Sequence, residues 1–177
     1  IITKGDNTLF RVGDTLDKKI FARISKFISQ NTKGGKVDID NNQLAIIDDI
    51  IIKEIRDSGY NVEVNNYMKL FTQLENAISQ EQAEINNLKV SAVKELWNSS
   101  DIKQKIINKT LYDLGINGIK DVFVKAISEV VRDSTFFNLD LETAENKLRK
   151  LLVDDEYTKR YLRQTTMDTL RQYDGAI

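Results

Sequence analysis

No proline occurs anywhere in these 177 residues. Proline is the residue that most sharply breaks a helix, because it lacks the backbone N–H and its ring clashes with the preceding turn. Only glycines and short polar clusters are left to punctuate the chain. Between them, apolar residues recur at steps of three and four, the spacing that places side chains on one face of a helix. The pattern predicts an all-α fold, a multi-helix bundle with at most one short strand near the N-terminus.

That strand is expected at "TLFRV", Thr8 to Val12, followed by Gly13 and by Asp14 as a helix cap. Leu16, Ile20, Ile24, Phe27 and Ile28 then mark a first helix, which "NTKGGK" ends with two glycines free to take positive φ. A second helix opens near Asp40 or Asn41 and is closed by Gly59, with Leu44, Ile47, Ile51 and Ile55 as its stripe. Its "IIDDIIIKEI" run is β-branched enough to suit a strand, but the spacing and flanking charges favour a buried helix.

The stretch from Val64 to Trp97 contains no glycine. Tyr67, Phe71, Leu74, Ile78, Ile85, Leu88, Ala92 and Leu96 follow a heptad-like seam, with a polar gap at Glu81 and Gln82. One helix of about 34 residues would span roughly 50 Å, longer than a compact domain of this size needs. It either projects as an interaction arm or bends across the domain surface. On the first alternative Tyr67, Phe71, Leu74, Ile78, Ile85 and Leu88 are the protein-interaction residues. The chain then divides into an N-terminal helical part (1–62), the long helix (63–98) and a C-terminal helical subdomain (99–177).

"NSSD", residues 98–101, reads as a break and a new cap. Ile106, Ile107, Leu111 and Leu114 form the next stripe, and Gly115 is expected in the left-handed conformation that closes a helix. Ile119, Val122, Phe123, Ala126, Ile127 and Val130 give the following helix a broad apolar face. "RDSTFFNLD" reads as a loop whose Phe136 and Phe137 either plug the core or dock a partner. Asp140 caps a short helix with Leu141, Leu148, Leu151 and Leu152. The last helix is expected from about Asp155 to Tyr173, with Leu162, Thr166, Leu170 and Tyr173 inward, Arg160, Arg163 and Arg171 in water, and Gly175 ending it.

Chemistry is sparsely signalled. Without cysteine or histidine, there is no thiolate and none of the commonest general base or metal ligand. "DIDNN", Asp38 to Asn42, alternates oxygen ligands as a calcium loop does, but Gln43 stands where the turn needs glycine and Asp49 where a bidentate glutamate belongs. Asp48 with Asp49, and Asp154 with Asp155 and Glu156, are the close carboxylates, read as solvated or capping groups. "GING", residues 115–118, lacks the lysine and hydroxyl of a phosphate loop. No metal, cofactor, catalytic residue or small-molecule substrate is therefore expected. With 26 basic and 27 acidic residues the net charge is −1, which does not indicate a broad nucleic-acid surface, although Lys159, Arg160, Arg163 and Arg171 make the last helix locally basic. No apolar run reaches the roughly 18 residues of a membrane span, and "IITKGDNTLF" is no signal peptide. The chain starts at Ile1 and stops just past a helix, as expected of a piece of a longer protein.

From about Ile106 onward the order of features resembles the minor head, or head-morphogenesis, proteins of tailed bacteriophages, the family typified by the F protein of phage Mu. "TLYDLGING", "IKDVFVKAISEVVRDS", "LDLETAENKLRKLL" and "DDEYTKRYLRQTTMDTLRQYDGAI" carry the resemblance in that order. It is strongest to versions from phages of Bacteroidetes hosts, at Tyr161, Thr165, Asp168, Leu170, Gln172, Tyr173 and Gly175. The resemblance implies a non-catalytic virion structural protein in the capsid, made in the host cytoplasm and acting in head assembly near the portal. Its partners would be portal or capsid proteins, or further copies of itself. The alternative is a helical, coiled-coil-like adaptor module without catalytic activity.

Overall fold

The computed structural model describes residues 4–69, 80, 83–84, 89, 91 and 101–176. Helix dominates these residues, as the missing prolines and the 3–4 spacing predict. Helix α1 spans Lys4–Gln30 and is followed by strands β1 (Thr32–Lys33) and β2 (Lys36–Val37), then by α2 (Asn41–Asp57) and α3 (Tyr60–Met68). After residue 100 come α4 (Asp101–Leu114), α5 (Ile116–Phe136), α6 (Leu141–Arg149), a π-helical turn (Lys150–Asp154) and α7 (Tyr157–Ala176).

The expected strand at Thr8–Val12 is helical and lies inside α1, and Asp14 lies within the same helix rather than at its start. Leu9, Gly13, Leu16, Ile20 and Ile24 fall on one face of a continuous helix and are all buried. Burying that face outweighs the weak local preference of a β-branched residue. The strands occur instead at "TKGGKV". Gly34 (φ 58°) and Gly35 (φ 77°) form a two-residue turn, pairing Thr32 with Val37 and Lys33 with Lys36. Both central residues of such a turn need positive φ, which glycine adopts without strain. The hairpin is anchored by the Val37 N–H donating to the Leu139 carbonyl at 3.0 Å and the Leu141 N–H to the Gly35 carbonyl at 3.3 Å.

Helix α2 forms as expected. Asp40 accepts from the Gln43 N–H while the Gln43 side chain accepts from the Asp40 N–H, a reciprocal cap. Ile47, Ile51 and Ile55 are fully buried, and Gly59 takes positive φ (78°) at the end of the helix. A 34-residue helix over 64–97 is not seen among the described residues. Helix α3 stops at Met68, Lys69 lies in a turn, and Lys89 is not helical. The first residue of the seam is core: Tyr67 is buried against the bundle together with Tyr60 and Val64, which precede it at steps of four and three.

Gly115 is not left-handed. It is extended (φ −72°, ψ 174°) and serves as the N-cap of α5, so α4 and α5 meet at a one-residue corner. The glycine this corner requires is Gly118, where a Cβ would lie 2.2 Å from the Tyr112 carbonyl oxygen. Helix α5 continues through "RDSTF" to Phe136, and the turn is made by Asn138 (φ 52°). Its Ile119, Phe123, Ile127 and Val131 are fully buried. Asp140 caps α6 by accepting from the Thr143 N–H at 2.8 Å, and the Thr143 hydrogen bonds hold its carboxyl below the usual range. Leu148 and Leu152 carry the buried stripe from α6 into the π-helical turn. In these residues Gly175 lies within α7 and does not end it.

One core runs from Leu9 to Leu162, with α1 packed against α3, α6 and α7, and α2 packed against α5. Both sides of the 70–100 stretch therefore contribute to a single apolar cluster. No helix among the described residues is long and apolar enough to cross a membrane.

Candidate functional site

The last helix is held by polar tethers. Its buried face is Thr158, Leu162, Thr165 and Thr169, while Thr166 and Leu170 are half-buried. The expected face of Leu162, Thr166, Leu170 and Tyr173 is thus rotated, and the Tyr173 side chain lies outside the described residues. Thr158 and Thr169 can be buried because each hydroxyl has a partner, which apolar spacing cannot reveal. Thr169 Oγ1 bonds Thr110 Oγ1 at 2.9 Å, and Thr110 donates in turn to the Ile106 carbonyl at 2.8 Å. Tyr157 donates its hydroxyl to the Val122 carbonyl at 3.1 Å and Tyr161 to the Asp113 carbonyl. Burial pushes both phenols up to about 12. Tyr60, buried beneath α4, donates to the Leu114 carbonyl at 2.9 Å and is raised further.

Thr158 makes the most constrained contact. Its methyl group occupies the space a Cβ on Gly13 would need, 2.7 Å away. Its N–H lies 3.2 Å from both carboxyl oxygens of Asp17, and its hydroxyl lies 2.6 Å from Asp17 Oδ1. Asp17 is 1% exposed. Burial raises its carboxyl from 3.8 to about 7, opposed by the two Thr158 hydrogen bonds and reinforced by the nearby charges of Asp14 and Glu156. A hollow of about 230 Å³ beside it is lined by Asp14, Asp17, Lys18, Val153 and Glu156. Lys159 bridges this site from outside, 3.7 Å from Asp14 and 3.6 Å from Glu156. Sequence reasoning overlooks Asp17, yet a signal exists: it shares the α1 face of Gly13, Ile20 and Ile24, an acid within an apolar stripe.

Two surfaces face water. On the outer side of α7 a hollow of about 490 Å³ is lined by Tyr157, Arg160, Tyr161, Arg163, Gln164 and Met167. The Arg160 guanidinium lies over the Tyr157 ring at 5.8 Å and that of Arg163 over Phe10 at 5.6 Å. At the end of α5, Phe136 and Phe137 are 76% and 65% exposed and meet edge to face at 4.9 Å. They do not plug the core, because the turn at Asn138 directs the chain back to the hairpin while both rings stay outside. The hairpin shares this end of the molecule, with the Ile39 N–H donating to Thr135 Oγ1 at 3.2 Å.

Of the expected interaction residues, Tyr67 is 6% exposed and its hydroxyl bonds the Thr166 hydroxyl, so it is a core residue of the α3–α7 contact. Phe71, Leu74, Ile78, Ile85 and Leu88 lie outside the described residues. The carboxylates take ordinary roles: Asp48 pairs with Lys120 at 3.3 Å and Asp38 with Lys33 at 3.4 Å. Among the described residues no three acidic side chains are placed to hold a metal ion. Comparison of the chain with family models, curated proteins and solved structures finds no match.

Proposed function

We propose that the chain is a non-catalytic helical protein-interaction module and, within that class, a minor head protein of a tailed phage acting in head assembly near the portal. The exposed Phe136–Phe137 pair carries the interaction reading. Two phenylalanines side by side in water offer apolar area that one bound partner would cover, and aromatic residues are enriched at such contacts. The more specific reading rests on the resemblance from Ile106 onward. Portal or capsid proteins, or further copies of the chain, are the partners it implies, and the virion is the location.

Mass spectrometry of particles assembled from the genome that encodes the chain tests this. The chain is expected in few copies per particle, and a Phe136→Ser/Phe137→Ser variant is expected to fold normally but be depleted from particles. A chain absent from particles, yet held by another protein through the same two residues, would leave the adaptor alternative. Unchanged association of the double variant would remove the interaction reading at this surface.

A further inference from the structure

Helix α7 enters the bundle through an unusual junction. The chain leaves a π-helical turn, in which the Asp155 N–H donates to the Lys150 carbonyl at 3.0 Å. It then passes through Glu156 in a left-handed conformation (φ 49°), which a non-glycine residue adopts at a cost. Glu156 therefore does not cap α7 in the ordinary extended conformation. The first N–H groups of a helix have no partner within it. Here the Thr158 N–H is satisfied by Asp17, a residue 141 positions earlier on α1. Asp17 and Gly13, one helical turn apart, form a notch that holds Thr158 by its backbone, its hydroxyl and its methyl group.

We propose that this notch is a proton-controlled latch, with α7 seated on α1 while Asp17 is protonated and its first turns released as Asp17 ionises. The geometry supplies a hinge, the π-helical turn and Glu156, and a catch whose polar contacts all fall on one residue. A protonated Asp17 still accepts the Thr158 N–H and hydroxyl on Oδ1, with its own proton on Oδ2. Once ionised, it is a charge enclosed by apolar α1, with the Thr158 donors and the helix end as its compensation. Opening at Glu156 admits water through the adjoining hollow.

The groups facing Asp17 set the direction. From α1 these are Asp14 and Lys18, and from the entry to α7 they are Glu156, Tyr157 and Lys159, while the π-helical turn adds only the uncharged Val153. The Lys159 ammonium is engaged by Asp14 and Glu156, the two acids that disfavour a charge on Asp17. The carboxyl titrates near 7 when latched and at an ordinary 3.8 when solvated, so release strengthens with rising pH and levels off above neutrality.

Backbone hydrogen exchange on the 177-residue chain tests the latch. After correction for intrinsic exchange, protection of the Thr158–Leu162 amides is expected to fall about tenfold from pH 6 to pH 8. Amides of α2, which open only with the whole fold, are expected to keep a clearly higher protection than those of Thr158–Leu162 at every pH, and Asp17→Asn is expected to abolish the pH dependence. Equal protection in α2 and the start of α7 would mean that α7 opens only on global unfolding and would overturn the latch, as would an unchanged pH dependence in Asp17→Asn. Should that variant not fold, a ¹³C-carboxyl titration of Asp17 in the unaltered protein decides: a midpoint near neutrality supports the proposal and one below about 5 overturns it.

Discussion

Gly118 is where a single methyl group should do most damage. Adding a Cβ there places it 2.2 Å from the Tyr112 carbonyl oxygen, 2.8 Å from the Asp113 carbonyl oxygen and 2.9 Å from the Asp113 Cα. All three obstacles are backbone atoms of α4, so no side chain can swing aside. Relief requires the α4–α5 corner to open by roughly 1 Å, which disturbs the packing of Leu114 and Ile119, both fully buried. Overpacking typically costs about 1–3 kcal/mol, and a rigid backbone obstacle belongs at the upper end. Replacing glycine by alanine in a helix returns up to about 1 kcal/mol. Gly118→Ala should therefore destabilise by about 2 kcal/mol. With a urea dependence near 2 kcal/mol per molar, the unfolding midpoint falls by about 1 M. Gly115→Ser is the control. Its extended backbone suits any N-cap residue, and glycine and serine caps differ by only a few tenths of a kcal/mol. If Gly118→Ala unfolded at the parent's urea concentration, or if Gly115→Ser proved the more damaging change, the close crossing of α4 and α5 would be wrong.

Tyr60→Phe removes the buried hydroxyl that donates to the Leu114 carbonyl and should lower stability by about 1–2 kcal/mol, read by thermal unfolding. Thr169→Val should cost about 1 kcal/mol, whereas Thr110→Val/Thr169→Val should cost less than the sum of the single changes, because neither hydroxyl is left facing an apolar group; a double-mutant cycle measures this. Stability should also depend on pH through Asp17, whose folded value is about 7 against 3.8 in the open chain. Between those values the native state holds a proton the unfolded state has lost, so stability falls as pH rises through this window and is flat above it. At about 1.4 kcal/mol per pKa unit the full change is of order 4 kcal/mol. Urea midpoints for Asp17→Asn should lack this component of the pH profile.

The helices were legible in the sequence because their cause is local. A 3–4 apolar spacing without proline commits a segment to helix wherever one face can be buried. The Asp40 and Asp140 caps act within three residues, and Ile47, Ile51 and Ile55 needed no knowledge of their partners. Tertiary structure decided whatever depends on what a face meets. Thr8–Val12 joined α1 because Leu9 and Leu16 share one buried face. Glycine alone does not say whether φ or space is the constraint, and at Gly13 and Gly118 it is the approach of Thr158 and of the α4 backbone. Phe136 and Phe137 look like core in composition but are carried outward by the turn at Asn138. Tyr67 began an apolar seam and became a core residue through Thr166, 99 positions away. Asp17 had an acid's ordinary appearance until α7 closed over it, since burial and a partner 141 residues distant, not residue type, set its proton affinity.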